Sequence, residues 1–333
     1  MLVDVIAEPH KWWQRKVPVV EEKRCRTFIH GFAGEYKDEG GLAANPYVGC
    51  AHRCCYCYAT YKWVPEFYDK IVVKSNAPQV LEAQLKAWKG KYVEPIFFAS
   101  ATDSYQPQEG RSRITRKCVE VMQKYGVPYY VFTKSGTILR DLELHASYKE
   151  KCMVFWSIST MDDSLKKVIE PNVTPTKSLL RVIKKFSERE VQTAVNIIPI
   201  IPGLTDDRTK LVTLVKESAN AGARYFTAGV LRLRDDIWDR IKIMLESIGR
   251  QDVTRLMQAL YYSKPDIKQG YYYAPKSYRE EIVQFVESKV KECGAKFGIP
   301  ISYTPDLDSP QCSDFVLHPK EKFEEASMLS FVQ

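Results

Sequence analysis

The sequence predicts an α/β fold organised around a parallel sheet, and three observations carry that prediction. Five short runs are β-branched or aromatic and apolar on both sides: PIFFASAT (95–102), PYYVFTK (128–134), CMVFWSIST (152–160), VQTAVNIIPI (191–200) and RYFTAGVL (224–231). Strands of that composition belong in a sheet covered on both faces. Amphipathic helical patterns alternate with them. Gly126 and Gly222 stand where two of those helices would end in a glycine cap.

In chain order, APQVLEAQLKAWKG (77–90) predicts a helix before the first of these runs. RSRITRKCVEVMQKYG (111–126) predicts one after it, with Ile114, Cys118, Val121 and Met122 at helical spacing. TPTKSLLRVIKKFSERE (174–190) and DDRTKLVTLVKESANAG (206–222) follow later strands. Right-handed crossovers wind such a βα repeat into a barrel or an open sheet. Residues 41–235 hold this repeat. Beyond 235 come charged helical stretches, YYYAP (271–275), a helix over 277–293 and strand-like GIPISYTP (298–305). Residues 236–333 are therefore expected as an extension packed on the core. Residues 1–40 read as an irregular N-terminal cap.

The 333 residues are 45% hydrophobic and 27% charged, the balance of a globular protein with a sizeable core. The formal charge of +8 favours anionic partners without requiring a nucleic acid. The N-terminal MLVDVIAEPHKWW carries Asp4 and Glu8 early and has no long apolar run, so neither signal peptide nor membrane span is expected. The most apolar stretch, 191–204, is too short for a span and is interrupted by Pro199 and Pro202. A cytoplasmic setting follows as the expectation. Nine cysteines without an export signal point away from a disulfide framework.

Four of those cysteines crowd into CAHRCCYC (50–57). Cys50, Cys54 and Cys57 make C-x3-C-x2-C, with Cys55 as an extra thiol. Three thiolates on a short loop can hold three corners of a [4Fe–4S] cube and leave the fourth iron open to a chelator. A structural zinc held by three cysteines with His52 or Cys55 is the competing set. No second C-x2-C knuckle exists to support it, and His52 would be a strained ligand on so tight a loop.

C-x3-C-x2-C with an aromatic at Tyr56 resembles the signature of the radical S-adenosylmethionine (SAM) superfamily. NPYVGCAHRCCYCYA (45–59), ATDSYQP (101–107), VFTKSG (131–136), WSIST (156–160), IEPNVTPT (169–176) and NIIPIIPGLTDD (196–207) resemble its spore photoproduct lyase-like branch, in that branch's order. The resemblance covers roughly residues 43–230. It implies a partial (β/α)6 barrel of the TIM type, with chemistry at the C-terminal ends of the strands. It also implies a [4Fe–4S] cluster and SAM as cofactors, and a flavodoxin- or ferredoxin-like external electron donor. SAM would chelate the open iron and be cleaved reductively to methionine and a 5′-deoxyadenosyl radical that abstracts hydrogen. The cofactors carry that chemistry while the protein binds, orients and shields.

Carried over residue by residue, the resemblance places Tyr56 near the adenine and Tyr58 near the radical. Thr102 and Asp103 would contact the amino-acid part of SAM, with Asp103 as a loop cap in the plainer reading. Lys134 would meet the SAM carboxylate, or simply reach solvent. Ser157 and Ser159, two apart on one strand face, match the ribose-binding motif. Asn196 matches the polar position of the next strand and needs a hydrogen-bond partner among Val and Ile. Glu170 and Arg181 match charged positions of the branch and also suit a structural ion pair.

One departure separates this chain from spore photoproduct lyases. Those enzymes carry a cysteine near the end of the strand equivalent to PIFFASAT, which returns a hydrogen atom to the product radical. Ser100 stands there here, and a hydroxyl O–H is far stronger than a thiol S–H. Cys118 falls on the apolar stripe of a helix and Cys152 at a strand start, so neither substitutes. Cys25, Cys55 and Cys312 stay open. The expectation is a radical SAM enzyme that does not repair spore photoproduct. Its substrate is left open between a nucleic acid, a peptide and a small molecule. KWWQRK (11–16) offers base stacking or a hydrophobic staple for the cap. A non-catalytic iron–sulfur or zinc protein that binds nucleic acid is the second reading. An aldolase-like barrel using Lys134 as a Schiff-base amine is the third, and it leaves the cysteine loop unexplained.

Overall fold

The computed structural model describes residues 17–31, 41–62, 67–88 and 95–298. Fourteen strands are named β1 to β14 in chain order: Val19–Lys23, Ile29–Gly31, Leu42–Ala44, Tyr47–Val48, Lys70–Lys74, Ile96–Phe98, Tyr129–Thr133, Cys152–Ser157, Gln192–Ile200, Tyr225–Val230, Arg232–Leu233, Asp266–Lys268, Tyr271–Tyr273 and Lys296–Phe297. Eight of them form one sheet, in the order β14-β10-β9-β8-β7-β6-β3-β2. Within it β3, β6, β7, β8, β9, β10 and β14 run parallel, and only β2 is antiparallel to its neighbour.

That order settles the choice between barrel and open sheet. The six strands β3, β6, β7, β8, β9 and β10 are laid down side by side in chain order, with no reversal of direction. Right-handed crossovers then put every helix on the same face, and a sheet covered on one face buries its other face by curling on itself. Side-chain parity agrees. Phe97, Tyr130, Met153, Phe155 and Ala194 form a cluster of their own on the inner face, joined by Phe132 and Tyr225. Their sequence neighbours Phe98, Tyr129, Val131, Val154, Trp156 and Val195 belong to the large outer core with the helices. Trp156 packs edge-on against Phe186, ring centroids 5.2 Å apart. The predicted partial (β/α)6 barrel is the observed architecture.

The helices start and stop for local reasons. The helix Ala77–Ala87 carries Pro78 in its first turn, where the missing N–H costs nothing. The stretch predicted as one helix over 111–126 is two, Glu109–Ser112 and Ile114–Lys124, broken where Arg113 turns left-handed at φ 49°. Asp162 caps Asp163–Ile169 by accepting from the amides of Ser164 and Leu165, worth about 1 kcal/mol. Helices Thr176–Glu188 and Arg208–Asn220 cover β9 and its neighbours. Gly126 and Gly222 take the positive φ expected of caps, 70° and 96°.

The N-terminal segment differs from expectation. The stretch predicted as an irregular cap contains β1 and β2. β1 pairs parallel with β5, which also holds β4. The extension after 235 has helices Asp235–Ser247, Gln251–Tyr262 and Lys276–Glu292 and a small sheet, β11-β13-β12. Its strand β14 adds to the edge of the barrel sheet beside β10. The strand-like 299–305, the KWWQRK segment and Cys312 lie outside the described residues.

Candidate cofactor site at the mouth of the barrel

The cysteine loop leaves the C-terminal end of β3 through β4, and polar side chains from distant elements hold it. Gly49 opens it at φ 80°; a Cβ there would lie 2.4 Å from the Lys70 carbonyl and 2.8 Å from that of Phe67, so only glycine fits. The Cys50 amide donates to the Phe67 carbonyl at 2.9 Å and the Cys55 amide to the Ile169 carbonyl at 3.0 Å. The Tyr68 hydroxyl donates to the Cys54 carbonyl at 2.7 Å. From the motif 101–107, the Gln106 amide group accepts from the Ala51 N–H at 2.9 Å and donates to the Gly49 carbonyl at 3.2 Å. Asn172 donates to the Ala51 carbonyl at 2.7 Å. From the C-terminal extension, Arg240 donates to the carbonyls of Cys55 (3.1 Å) and Cys57 (3.0 Å).

The loop buries Cys50, Cys54 and Cys55, and half-buries Cys57. Burial pushes the Cys50 thiol up to about 12, with the Asp103 carboxylate adding to the effect. The Cys54 thiol is raised as well, by burial and then Glu170, and Cys57 is raised by burial. Among the described residues, no three His, Cys, Asp or Glu side chains stand close enough together to enclose one metal ion. Thiolates around one tetrahedral zinc crowd to roughly 3.8 Å from each other, given Zn–S bonds of about 2.3 Å. The ligands of a cube bind three different irons and need no such convergence. His52 is also occupied: its Nδ1 lies 3.0 Å from the Asn172 carbonyl and its Nε2 2.9 Å from Asp103. The donor set suits a cube and does not suit a Cys3His zinc.

Beside the thiols lies a buried charge cluster centred on Glu170, which has no exposed surface in its side chain. Its Oε1 accepts from the Tyr56 hydroxyl, from Ser159 Oγ at 2.9 Å and from Lys134 Nζ at 3.2 Å. Its Oε2 has no hydrogen-bond partner and lies 3.8 Å from Lys166 Nζ. Burial alone would raise this carboxyl, but the Lys134 and Lys166 ammoniums hold it at about 2. Burial pulls Lys134 down, but Glu170 first, with the Cys54 thiol and Asp103, brings it above its ordinary value. Lys134 is thus a held cation, the opposite of the neutral amine that a Schiff-base mechanism needs. Its Nζ stands 5.4 Å from the centroid of the Tyr56 ring.

The remaining sequence-predicted residues divide. Ser157, Asn196 and Thr227 continue the inner-face parity at the top of the barrel. Asn196 donates to Ser157 Oγ at 3.4 Å and accepts from Thr227 Oγ1 at 2.6 Å, which meets its need for partners. β8 stops at Ser157, so Ser159 does not share a strand face with it; Ser159 turns to Glu170 instead. β6 stops at Phe98 because Ala99 turns left-handed at φ 72°, so Thr102 and Asp103 sit in the following loop and not at the strand end. Asp103 accepts from the amides of Lys134 (2.6 Å) and Tyr105 (2.8 Å) and from Thr133 Oγ1 (2.9 Å), besides facing His52. Burial raises its carboxyl, but His52 and those donors bring it below the ordinary range. This is the plainer loop-capping arrangement. Thr102 Oγ1 donates to the Tyr47 carbonyl at 3.4 Å. Glu170 and Arg181 do not pair; Arg181 is exposed.

Tyr58, directly after Cys57, stands partly exposed on the rim, and its hydroxyl donates to the Ser100 carbonyl. The Arg232 guanidinium lies 5.6 Å from the Tyr58 ring centroid and 4.2 Å from that of Tyr271. Arg234 donates to the Tyr58 carbonyl at 3.0 Å and to the Tyr271 hydroxyl at 2.7 Å. Cys118 and Cys152 are fully buried in the outer core, away from this rim. Sequence reasoning missed Gln106, Asn172, Arg240 and the central place of Glu170. Their partners lie 55, 121, 185 and 114 positions away. Gln106, Glu170 and Asn172 lie within the quoted motifs, which marked them without showing their partners, whereas Arg240 lies in none.

The fold and site define a (β/α)6 barrel with a thiol-rich loop after its first strand. A family model for the radical SAM superfamily matches residues 44–215. The chain belongs to that superfamily, whose members are enzymes using a [4Fe–4S] cluster and SAM. An uncharacterised protein, ORF301, of Acidianus two-tailed virus is 26% identical over 68% of this chain and 81% of its own length. The uncharacterised Rv2578c of Mycobacterium tuberculosis is 29% identical over 71% of this chain and 69% of its own. Among solved structures, a spore photoproduct lyase variant with bound AdoMet and dinucleoside spore photoproduct superposes with a TM-score of 0.65. It is 17% identical and covers 89% of this chain and 85% of that one, which is likeness of fold.

Proposed function

We propose that Cys50, Cys54 and Cys57 hold the cluster, and that the Tyr56–Lys134–Ser159 group around Glu170, with Ser157, Asn196 and Thr102, receives SAM. Bound there, cluster and SAM together supply the one-electron cleavage that yields a 5′-deoxyadenosyl radical. The carrying observation is the adjacency of the cysteine loop, with Cys50 and Cys54 buried and Cys57 half-buried, to a held ammonium, Lys134, which suits the SAM carboxylate. Tyr56 stays protonated, since burial and Glu170 raise its hydroxyl well above the ordinary value. It offers a ring face and a fixed orientation for an adenine. Asp103 supports the site indirectly, by joining the cluster loop at His52 to the backbone of Lys134.

The radical would abstract hydrogen from a substrate entering between Tyr58, Ser100 and Arg232. Arginines stacked on tyrosines suit a nucleic-acid strand, by charge toward phosphate and by ring faces toward bases. Ser100 beside Tyr58 offers no thiol hydrogen, so the product is not repaired spore photoproduct. An external one-electron donor of the flavodoxin or ferredoxin class and a cytoplasmic setting complete the reading. No helix among the described residues is long and apolar enough to cross a membrane.

Anaerobic reconstitution with iron and sulfide, then dithionite and SAM, tests the core. The expected product is 5′-deoxyadenosine; none from a fully loaded protein would leave a non-catalytic iron–sulfur binder. Incubation with dinucleoside spore photoproduct tests the second part, and repair at a lyase's rate would overturn the role given to Ser100.

A further inference from the structure

The cysteine loop has a cationic neighbour that no motif contains. Arg240 lies on the helix Asp235–Ser247, in the C-terminal extension, and its side chain is 13% exposed. Its guanidinium donates to the Cys55 carbonyl at 3.1 Å, the Cys57 carbonyl at 3.0 Å and Thr60 Oγ1 at 3.0 Å. Its remaining arm donates to Asp236 Oδ2 at 2.9 Å. Asp236 in turn accepts from Thr60 Oγ1 at 3.0 Å and pairs with Arg234. One buried guanidinium therefore binds the loop on both sides of Tyr56, at the last of the three cysteines.

We propose that Arg240 is a positioning residue that also sets the reduction potential of the cluster. This rests on the placement of the cluster at Cys50, Cys54 and Cys57. Accepting one electron from an external donor adds one negative charge to the cluster. A fixed cation in a low-dielectric surround favours that reduced state, and its counter-ion opposes it. Arg240 and Asp236 then act with opposite signs. The extension after residue 235 is part of the redox machinery as well as a wall of the fold.

The test is a redox titration of the full-length, cluster-loaded protein, followed by the electron paramagnetic resonance of the reduced cluster, with iron per chain measured alongside. Arg240→Gln is expected to shift the midpoint to more negative potential. Asp236→Asn, which keeps an acceptor for Thr60, is expected to shift it to more positive potential. Arg240→Lys restores the charge and is expected to recover most of the shift. Midpoints unchanged from the parent in both charge variants would overturn the proposal, and so would shifts of the same sign, the mark of a merely loosened loop. If Arg240→Gln takes up no iron, Asp236→Asn decides alone, and an unshifted midpoint overturns the proposal. A parent protein that takes up no cluster at all would instead sink the cluster placement itself.

Discussion

The two rims of the barrel mouth are built differently. On the cofactor rim, nearly every polar side chain has two or more buried partners: Gln106 with Ala51 and Gly49, His52 with Asn172 and Asp103, Glu170 with Tyr56, Ser159 and Lys134. On the Tyr58 rim, Tyr58 is 38% exposed and is held by the Ser100 carbonyl and by Arg234. Buried polar groups demand full satisfaction, so the first rim tolerates little change. The second is more solvated and joins Tyr58, Ser100, Arg232 and Arg234 to Tyr271 of the extension, where substitution is expected to disturb the cysteine loop less. This division fits a cofactor chemistry shared across a superfamily and a substrate particular to one member.

The sharpest break in that comparison is at the thiols. Cys50→Ala, Cys54→Ala and Cys57→Ala are each expected to abolish the brown absorbance and 5′-deoxyadenosine formation, whereas Cys55→Ala keeps both. Bleaching of Cys55→Ala with an intact Cys54→Ala would move the ligand register by one residue. Gly49→Ala comes next. Its positive φ and the carbonyl 2.4 Å from a Cβ predict a loss of about 2 kcal/mol or more, read as a lower melting temperature and less iron per chain.

Lys134→Ala is expected to weaken SAM binding roughly ten- to a hundredfold, the worth of a charge-assisted contact, while iron content stays at the parent level. Equilibrium dialysis with SAM measures it, and unchanged affinity would remove Lys134 from the SAM site. At the proposed substrate entrance, Arg232→Ala is expected to lower oligonucleotide affinity several-fold and to make its salt dependence shallower by about one unit of slope. A salt slope equal to the parent's would argue for an uncharged substrate.

A pH effect belongs to neither rim. His145 is fully buried between the Tyr105 and Tyr129 hydroxyls, at 2.9 and 3.1 Å, and burial lowers its pKa to about 4. The unfolded chain binds that proton near pH 6.5, so between those values the unfolded state holds more protons and stability rises with pH. The contribution, on the order of 3 kcal/mol, is complete above pH 6.5 and is lost as pH falls through 4. The carboxyls of Asp103, Asp141 and Glu170 are held low and lose their contributions only at more acid pH. Thermal melts of His145→Gln are expected to show a flatter dependence between pH 6.5 and 4 than the parent.

Much of the fold was legible because strand composition and helical spacing are local signals. All five predicted runs contain barrel strands, and the helices differ mainly at their ends. The first barrel strand, Leu42–Ala44, escaped notice because three small or aliphatic residues carry no pattern. The strands at 19–23 and 29–31 escaped it because β1 is mostly polar or exposed and β2 is three residues long, and their partners β5 and β3 come later in the chain. Asp103 shows the limit at the site. Its motif marked it, yet whether it meets a ligand or caps a loop depends on Lys134 and His52, which are 31 and 51 residues away.

By itself the sequence determined the alternation of strands and helices, the three thiols at cluster spacing and the absent thiol at Ser100. Each depends only on residue type and near neighbours. Tertiary structure alone decided that Glu170 gathers Tyr56, Lys134 and Ser159, and that Gln106 and, from the helix Asp235–Ser247, Arg240 hold the cysteine loop. Those are meetings of buried charges across long separations, fixed by how the barrel closes and by the cost of leaving such groups unpaired.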